Sequence, residues 1–550
     1  MKDFHSQLQD YIKRCPNVTA VAEASGINRT TLQHYMSGKR VPTKEETVLG
    51  IAKAMMLSPE ERKMLLQAYS IAAEGEDVFG RREYIRDLIT HLKNETISES
   101  RIVNDLTKYW ELPDGKTVTE KTDLYKITRQ LLEAAIAGGG ELYFVVQPEF
   151  EFLFQLMASM HLESGQLKVE HIFGMKKTMA PQEDNMSLRC VKMILYVAPN
   201  FPDYQPYYFY DNRCDGRSYL SPAPFCMIYK DAFLIFSNDY QTGYLGKNKI
   251  QSDFYKSLFK RMKEQCYSAI EKRSGVNSAT VFLKEIIWDI EPQSAIHYDL
   301  CFMPFIRPEW IANCLGLQDD SAKAVAGEIQ DYQQRLVKNM TVSGEDFDVV
   351  GSQQGFDELL STGCPDEIPR EFFKEPLSLK ERILLLDDLQ NAVQNGKYHF
   401  RLMREKETIA KRWTLTTCAS RTLIYQNYDN GLNFFYFTEP GILAAFSDYQ
   451  AFIRKDPLLM SYEETLDYLE TKKQELTEKQ ELTEKQELTE KQELTEKQEL
   501  TEKQELTEKQ ELTEKQELTE KQELTEKQEL TEKQEPAEKR EIEEKPQGQS

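Results

Sequence analysis

The chain has 550 residues, of which 40% are hydrophobic and 11% aromatic, and it carries a formal net charge of −22, which allows several domains with cores of their own. No apolar run approaches the roughly 20 residues needed to cross a bilayer, and the amino-terminal stretch lacks the apolar segment of a secretory signal, so the expectation is a cytoplasmic protein with no membrane partner. Nine cysteines, Cys15, Cys190, Cys214, Cys226, Cys266, Cys301, Cys314, Cys364 and Cys418, lie scattered without a C-x-x-C pair, which reads as reduced thiols and not as a disulfide framework.

Residues 17 to 42, NVTAVAEASGINRTTLQHYMSGKRVP, carry the punctuation of two short helices joined by a tight turn. Asn17 can cap a first helix over Val18 to Ser25. Gly26 suits a left-handed stop, Ile27 can plug the space between the helices, and Asn28 can cap a second helix over Arg29 to Ser37. With Leu32 and Tyr35 turned inward, Arg29, Thr30, Gln33 and His34 face outward as a polar set. Gly38 ends that helix, Lys39 and Arg40 follow, and Pro42 prevents continuation. Val48, Ile51, Ala52, Met55 and Leu57 then recur at helical spacing and would roof the bundle. Residues 1 to 70 hold ten Lys or Arg against seven Asp or Glu, whereas the rest of the chain carries about −25, so any basic face is confined to this end.

Over residues 4 to 70 this stretch resembles the phage-repressor type of helix-turn-helix, the family of Cro and the xenobiotic-response-element regulators. Ala22, Gly26, Ile27, Leu32, Gly38 and Pro42 stand where that pattern has them. The resemblance implies a compact bundle of four or five helices whose second motif helix enters the major groove of double-stranded DNA. Carried over by position, Arg29, Thr30, Gln33 and His34 would face base edges, while Asn28, Lys39 and Arg40 would approach phosphates. Val18 and Thr19 depart from the polar residue that often opens the first motif helix, and Met36 departs from a frequent Glu. For the whole chain the resemblance implies a sequence-specific DNA-binding transcriptional regulator. A homodimer is expected because one motif reads only a half-site, and an effector or protein partner of unknown identity would act through the rest of the chain.

Residues 70 to 89 contain the polar bridge GEDVFGRR, after which the pattern changes. A helix over Glu120 to Ala137 leads through Gly138, Gly139 and Gly140 into the strand ELYFVV. A second helix near Glu149 to Met160 is followed by LKVEHIF and CVKMILYV, both read as strands. PFCMIYKDAFLIFSN suggests a hairpin turning at Lys230 and Asp231, and Gln251 to Lys272 reads as a helix. Helices are expected again over Ser321 to Lys338 and Leu379 to Asn395. The segments KYHFRLM, RWTLTTC, TLIYQNY and LNFFYFT then form successive strands, the last two joined by a tight turn at Asp429, Asn430 and Gly431. A helix over Gly441 to Ile453 closes the region, which as a whole reads as α/β.

No catalytic constellation emerges from spacing alone, and the sequence names no cofactor or metal. The triple glycine follows a helix and precedes a strand, the reverse of a phosphate-cradling loop. Asp211, Asp215 and Gly216 approach a calcium loop, but Arg213 and Pro222 occupy ligand positions. The seven histidines have no metal-ligand spacing on a helix, which leaves only clustering in space. Glu149 and Glu151 fit a helix start, and the run Tyr207 to Tyr210 fits strand packing.

Residues 473 to 534 repeat KQELTE ten times. Six-residue steps on a helix place the leucines on three stripes about 120° apart, so they form no coiled-coil seam. The spacing does set a Glu four residues before each Lys, and the composition fits a continuous charged helix or a disordered spacer. The expected organisation is multidomain. An all-α helix-turn-helix domain (1–73) is followed by a linker with connecting helices (74–118), an α/β sensing or oligomerising region of one or two subdomains (119–470), and a helical or disordered tail (471–550). Two other functions stay open. One is an enzyme acting on a nucleotide or small molecule under a regulatory helix-turn-helix domain, and the other is a protein-interaction scaffold.

Overall fold

The structure is a computed structural model. It describes residues 3–92, 114–175, 185–210, 225–276, 292–307, 347–368, 375–396, 398–404, 408–428 and 431–534, with scattered positions between 310 and 334. The chain divides into two compact units, Met1–Lys473 and Gln474–Ser550. The first begins with six helices: α1 (Phe4–Ile12), α2 (Val18–Ala24), α3 (Arg29–Met36), α4 (Glu45–Ala54), α5 (Pro59–Glu74) and α6 (Glu76–Thr90). Their ends are fixed by short polar side chains. Asn17 accepts from Ala20 N at 2.6 Å, Asn28 accepts from Thr30 N at 2.8 Å, and Ser58 with Glu61 forms a reciprocal capping box. Gly26 sits at φ +70° between α2 and α3. Phe4, Leu8, Leu32, Val48, Ile51 and Leu65 are fully buried and form this bundle's core.

Helix α6 carries the bundle onto the body. Its Arg82 makes two 2.9 Å bonds to the two oxygens of Asp448 and also binds Glu74, while its Arg86 pairs with Asp456 at 2.8 Å. Both guanidiniums stack over the Phe452 ring, so the apolar parts of these long side chains are used as well as their charge.

The body starts with β1 (Lys116–Val118), α7 (Lys121–Gly138), β2 (Gly140–Val145), α8 (Glu151–Ala158), β3 (Leu167–Met175), α9 (Met186–Val197), β4 (Tyr204–Tyr210), β5 (Cys226–Tyr229), β6 (Ala232–Phe236), β7 (Gly243–Lys247), α10 (Lys249–Lys263) and β8 (Tyr267–Ser268). The strands form an eight-stranded sheet in the order β1-β7-β6-β5-β2-β3-β4-β8, in which β2, β3 and β4 run parallel. The hairpin β5–β6 turns at Lys230, whose φ is +49°. Two expectations fail here. CVKMILYV is helix α9 and not a strand: Leu188, Cys190, Val191, Met193, Ile194, Leu195 and Val197 are buried while Arg189, Lys192 and Tyr196 form a half-buried stripe at helical spacing, a period that the apolar run read without Arg189 does not show. The helix expected to reach Lys272 stops at Lys263, after which Tyr267 and Ser268 pair with Tyr208 and Tyr207 at the sheet edge.

A second sheet is built from β9 (Glu271–Val276), β10 (Pro292–Ile296), β11 (Asp348–Ser352), β12 (His399–Met403), β13 (Trp413–Cys418), β14 (Thr422–Tyr428) and β15 (Gly431–Phe437), in the order β12-β11-β10-β13-β14-β15-β9. Helix α11 (Gln353–Thr362) follows β11, α12 (Leu379–Gln394) precedes β12, and α13 (Pro440–Ile453) follows β15. Strands β10, β11 and β12 are parallel, and β13 is antiparallel to β10. The chain therefore adds strands on one side of β10 and then returns to its other side. One continuous apolar cluster joins both sheets, including Phe144 and Phe173 of the first with Trp413 and Phe435 of the second and Phe446 of α13.

The last helix, α14, spans Tyr462–Gln534. Within the repeat, Leu482 to Leu530 are each 58–63% exposed, as three separate stripes require. Among the described residues no helix is long and apolar enough to cross a membrane. The expected helix over Ser321 to Lys338 lies outside the described residues apart from scattered positions, as do Asp429, Asn430 and the calcium-like segment 211–222.

Candidate active site

The residues singled out for DNA contact lie at the surface of the bundle. Asn28, Arg29, Thr30, Gln33, Lys39 and Arg40 are exposed and His34 is half-buried. Asn28 spends its side-chain oxygen on capping α3, and the main-chain oxygen of His34 accepts from the amides of Lys39 and Arg40. The end of α3 is tied to α1, where His5 Nδ1 lies 2.8 Å from Tyr35 O and Gln9 donates to Met36 O at 2.7 Å. Glu149 pairs with Arg189 at 3.2 Å, and Glu151 sits in the first turn of α8. Both do the work of ordinary surface carboxylates.

A different cluster comes together at the carboxyl ends of β10 and β11, where the strand order reverses between β10 and β13. Such a reversal opens a crevice in α/β sheets because the two chain segments leave the sheet in different directions. Tyr298, Asp299, Gly355, Glu358, Asp366, Lys411, Arg412 and Asn427 line a cleft of about 240 Å³ there. Glycine permits this corner to close. A Cβ on Gly351 would stand 1.9 Å from Asp299 O, and one on Gly355 would stand 2.0 Å from Tyr298 O. The oxygen of Tyr298 accepts from Ser352 N at 3.1 Å and from Ser352 Oγ at 2.6 Å, and Ser352 Oγ in turn caps α11 by accepting from Gly355 N at 2.9 Å.

Glu358 pairs with Lys411 and accepts from Tyr298 OH at 3.1 Å, whereas Asp299 and Asp366 are held by main-chain donors. Asp299 Oδ1 accepts from Leu300 N and Oδ2 from Asp366 N, each at 2.7 Å. Asp366 Oδ2 accepts from Arg412 N at 2.6 Å, and Asn427 donates to Asp366 O at 2.7 Å. Arg412 adopts φ +68°, a region that costs a non-glycine side chain of order 1 kcal/mol and is found where surrounding contacts over-determine it. Here the bond to Asp366 and one from Asn427 N to Arg412 O, at 2.7 Å, hold it from both sides. Burial, together with the neighbouring Asp366 charge, lifts Asp299 well above the usual carboxylate range, and burial lifts Asp366 to about 6.

Beneath the lining residues lie His297, Cys301 and Glu367, all buried, with one ligand-capable atom of each within 4.8 Å of the others. Burial keeps His297 neutral by lowering its pKa to about 3 and raises Glu367 to about 8. The seven histidines suggested no metal spacing in the sequence, and the fold places one of them beside a thiol and a carboxylate. The signal that was available was chemical: HYDLC follows a strand and CPDEI sits in a loop, two places where carboxylates interrupt otherwise apolar or turn-forming residues.

No family model matches the chain, and no curated protein matches it. Among solved structures, it is similar to the crystal structure of polyphosphate kinase from Porphyromonas gingivalis, at 12% identity over 67% of this chain and with a TM-score of 0.20; the chain spans 58% of that protein's chain. A TM-score of that size carries no argument about fold. The expectation of a sequence-specific DNA-binding transcriptional regulator is not carried further: the structure matched is that of a polyphosphate kinase and not of a repressor. The physical reason for the misreading is that caps, a glycine turn and a hydrophobic plug specify how two short helices meet, and an outward polar set is what any surface helix presents.

Proposed function

We propose that the chain is an enzyme acting on a small polar molecule bound in the cleft between the ends of β10 and β13, with the amino-terminal bundle as a regulatory unit. The observation that carries this reading is the convergence, at the sheet's reversal point, of Asp299, Asp366 and Glu358 with Lys411 and Arg412 around one cavity. Its volume of about 240 Å³ is below the roughly 300–1,000 Å³ of pockets for drug-sized ligands, which favours a small molecule over a whole nucleotide. The carboxylates would accept hydrogen bonds from substrate N–H or O–H groups and exchange a proton with them. Lys411, which pairs with Glu358 in the structure, and Arg412 would exchange existing contacts for an anionic group on the same substrate. The left-handed backbone of Arg412, held by its two hydrogen bonds, fits a place where geometry is held for use. The bundle reaches this sheet through α6 and α13, since α13 lies against β10, β13 and β14.

The test is ligand-induced stabilisation of the full chain across a panel of small polar metabolites, followed by mass analysis for turnover. A ligand at about 100 times its Kd stabilises by roughly 2.7 kcal/mol. Stabilisation and conversion by the native chain, lost in Asp366→Asn, support the reading. Absence of any responding compound, or an equal response from the variant, overturns it.

A further inference from the structure

The His297 imidazole is 3% exposed, and its Nδ1 finds no hydrogen-bond partner among the described residues. Buried ring nitrogens are rarely left in that condition. Glu367 Oε2 stands 3.5 Å away, too far for a good hydrogen bond. The separation suits something else. Two ligand atoms bound tetrahedrally to one zinc ion, each at about 2.0–2.1 Å, lie roughly 3.3 Å from each other. Cys301 completes the set, with its Sγ within 4.8 Å of the other two donor atoms.

We propose that His297, Cys301 and Glu367 form a binding site for a divalent transition-metal ion, zinc by preference. The inference goes beyond the cleft reading and does not depend on it. Imidazole nitrogen, thiolate sulfur and carboxylate oxygen together are a borderline-soft donor set, whereas calcium and magnesium take oxygen ligands almost throughout. On binding, the ion displaces the thiol proton of Cys301, and any proton on Glu367, to solvent; no electron changes hands.

The donors are held in place by neighbours that orient them, as metal ligands require. Glu367 Oε1 accepts from Phe302 N and Met303 N, each at 2.8 Å, which leaves Oε2 turned toward His297 with Tyr425 OH 3.4 Å from it. The main chain of His297 is fixed from two sides: its N–H donates to Val350 O at 3.0 Å, and its oxygen accepts from Thr408 Oγ1 at 2.5 Å. His297 and Cys301 come from the segment after β10, and Glu367 comes from the loop after α11. Two stretches far apart in sequence thus meet on one point, and an ion there would lock them together. Three protein donors leave a tetrahedral ion one further position.

The experiment uses the full chain, purified without chelator, with metal content measured directly, followed by stripping and titration with Co²⁺ as a spectroscopic probe. About one equivalent of bound metal per chain is expected. Co²⁺ should give visible bands of tetrahedral intensity together with a near-ultraviolet thiolate charge-transfer band. Cys301→Ser should lose the charge-transfer band, and Glu367→Gln should weaken retention. A native chain that retains no metal and gives no tetrahedral Co²⁺ spectrum overturns the proposal, and this arm needs no variant to fold. A charge-transfer band undiminished in folded Cys301→Ser overturns it too, because the sulfur would then belong to another cysteine. Failure of the metabolite panel with a positive Co²⁺ result would remove the cleft reading and leave the metal site standing.

Discussion

Replacing Gly355 by alanine adds one methyl group at the corner where α11 meets the segment after β10. The new Cβ would lie 2.0 Å from Tyr298 O and 2.5 Å from Tyr298 C, and both are main-chain atoms that cannot rotate away. The same oxygen accepts both the amide and the hydroxyl of Ser352, so relief of the clash must stretch or break those bonds. Each is worth roughly 0.5–1.5 kcal/mol net, and forced overpacking adds about 1–3 kcal/mol. Against this, alanine gains up to about 1 kcal/mol over glycine as a helix former. The clash wins, and Gly355→Ala should destabilise by about 2–4 kcal/mol. Gly80, in the middle of α6, gives the contrast: a Cβ there meets nothing within 4 Å, so Gly80→Ala should stabilise by about 0.5–1 kcal/mol. Denaturant unfolding followed by tryptophan fluorescence, to which the buried Trp310 and Trp413 contribute, measures the first. Far-ultraviolet circular dichroism measures the second. Equal or increased stability in Gly355→Ala would refute the close approach on which the cleft's shape depends.

Arg82→Ala removes both bonds to Asp448, the contact with Glu74 and the stacking on Phe452. Breaking a buried pair costs about 3–5 kcal/mol, but Arg81 still reaches Asp448 at 3.3 Å, so a loss of about 2–3 kcal/mol is expected; faster proteolysis near Gly75 reports it, and an unchanged cleavage rate counts against this junction. His171, buried with Tyr204 OH and Val146 O each 2.7 Å from its ring nitrogens, has its pKa lowered to about 3 by burial. The unfolded chain takes up a proton near pH 6.5 while the folded chain does not, so this group's contribution falls as pH drops from about 6.5 toward 3, by about 1.4 kcal/mol per unit. His171→Gln should unfold with a shallower acid dependence over that window, and an identical slope would contradict the assignment. A synthetic repeat of KQELTE should show helicity independent of concentration over a hundredfold range or so, because its leucines share no seam; helicity that rises with concentration would contradict the exposed stripes.

Much of the local structure was legible in the sequence because it depends on near neighbours. Asn17, Asn28 and Gly26 set the ends of α2 and α3 through bonds and φ values that span only a few residues, and the alternation of KYHFRLM through LNFFYFT set β12 to β15. The period of the hexapeptide likewise excluded a leucine seam, while the choice between helix and disordered spacer came from the structure, where α14 runs through it. Helix α9 was misread because CVKMILYV taken alone is an apolar run with a single charge, and its stripe of Arg189, Lys192 and Tyr196 emerges only when the residues before it are included. The cluster of His297, Cys301 and Glu367 was legible only as carboxylates in unusual places, not as a cluster. His297 and Glu367 are 70 residues apart in the chain, and nothing in either segment encodes the 3.5 Å between them. That distance arises only when β10 and β11 pair in parallel and glycines 351 and 355 let the strand–helix corner close on residues 298 and 299. The sequence by itself determined the elements and their ends, since those follow from short-range sterics and hydrogen bonding. Tertiary structure decided which carboxylates lost their water, and with it where chemistry can occur.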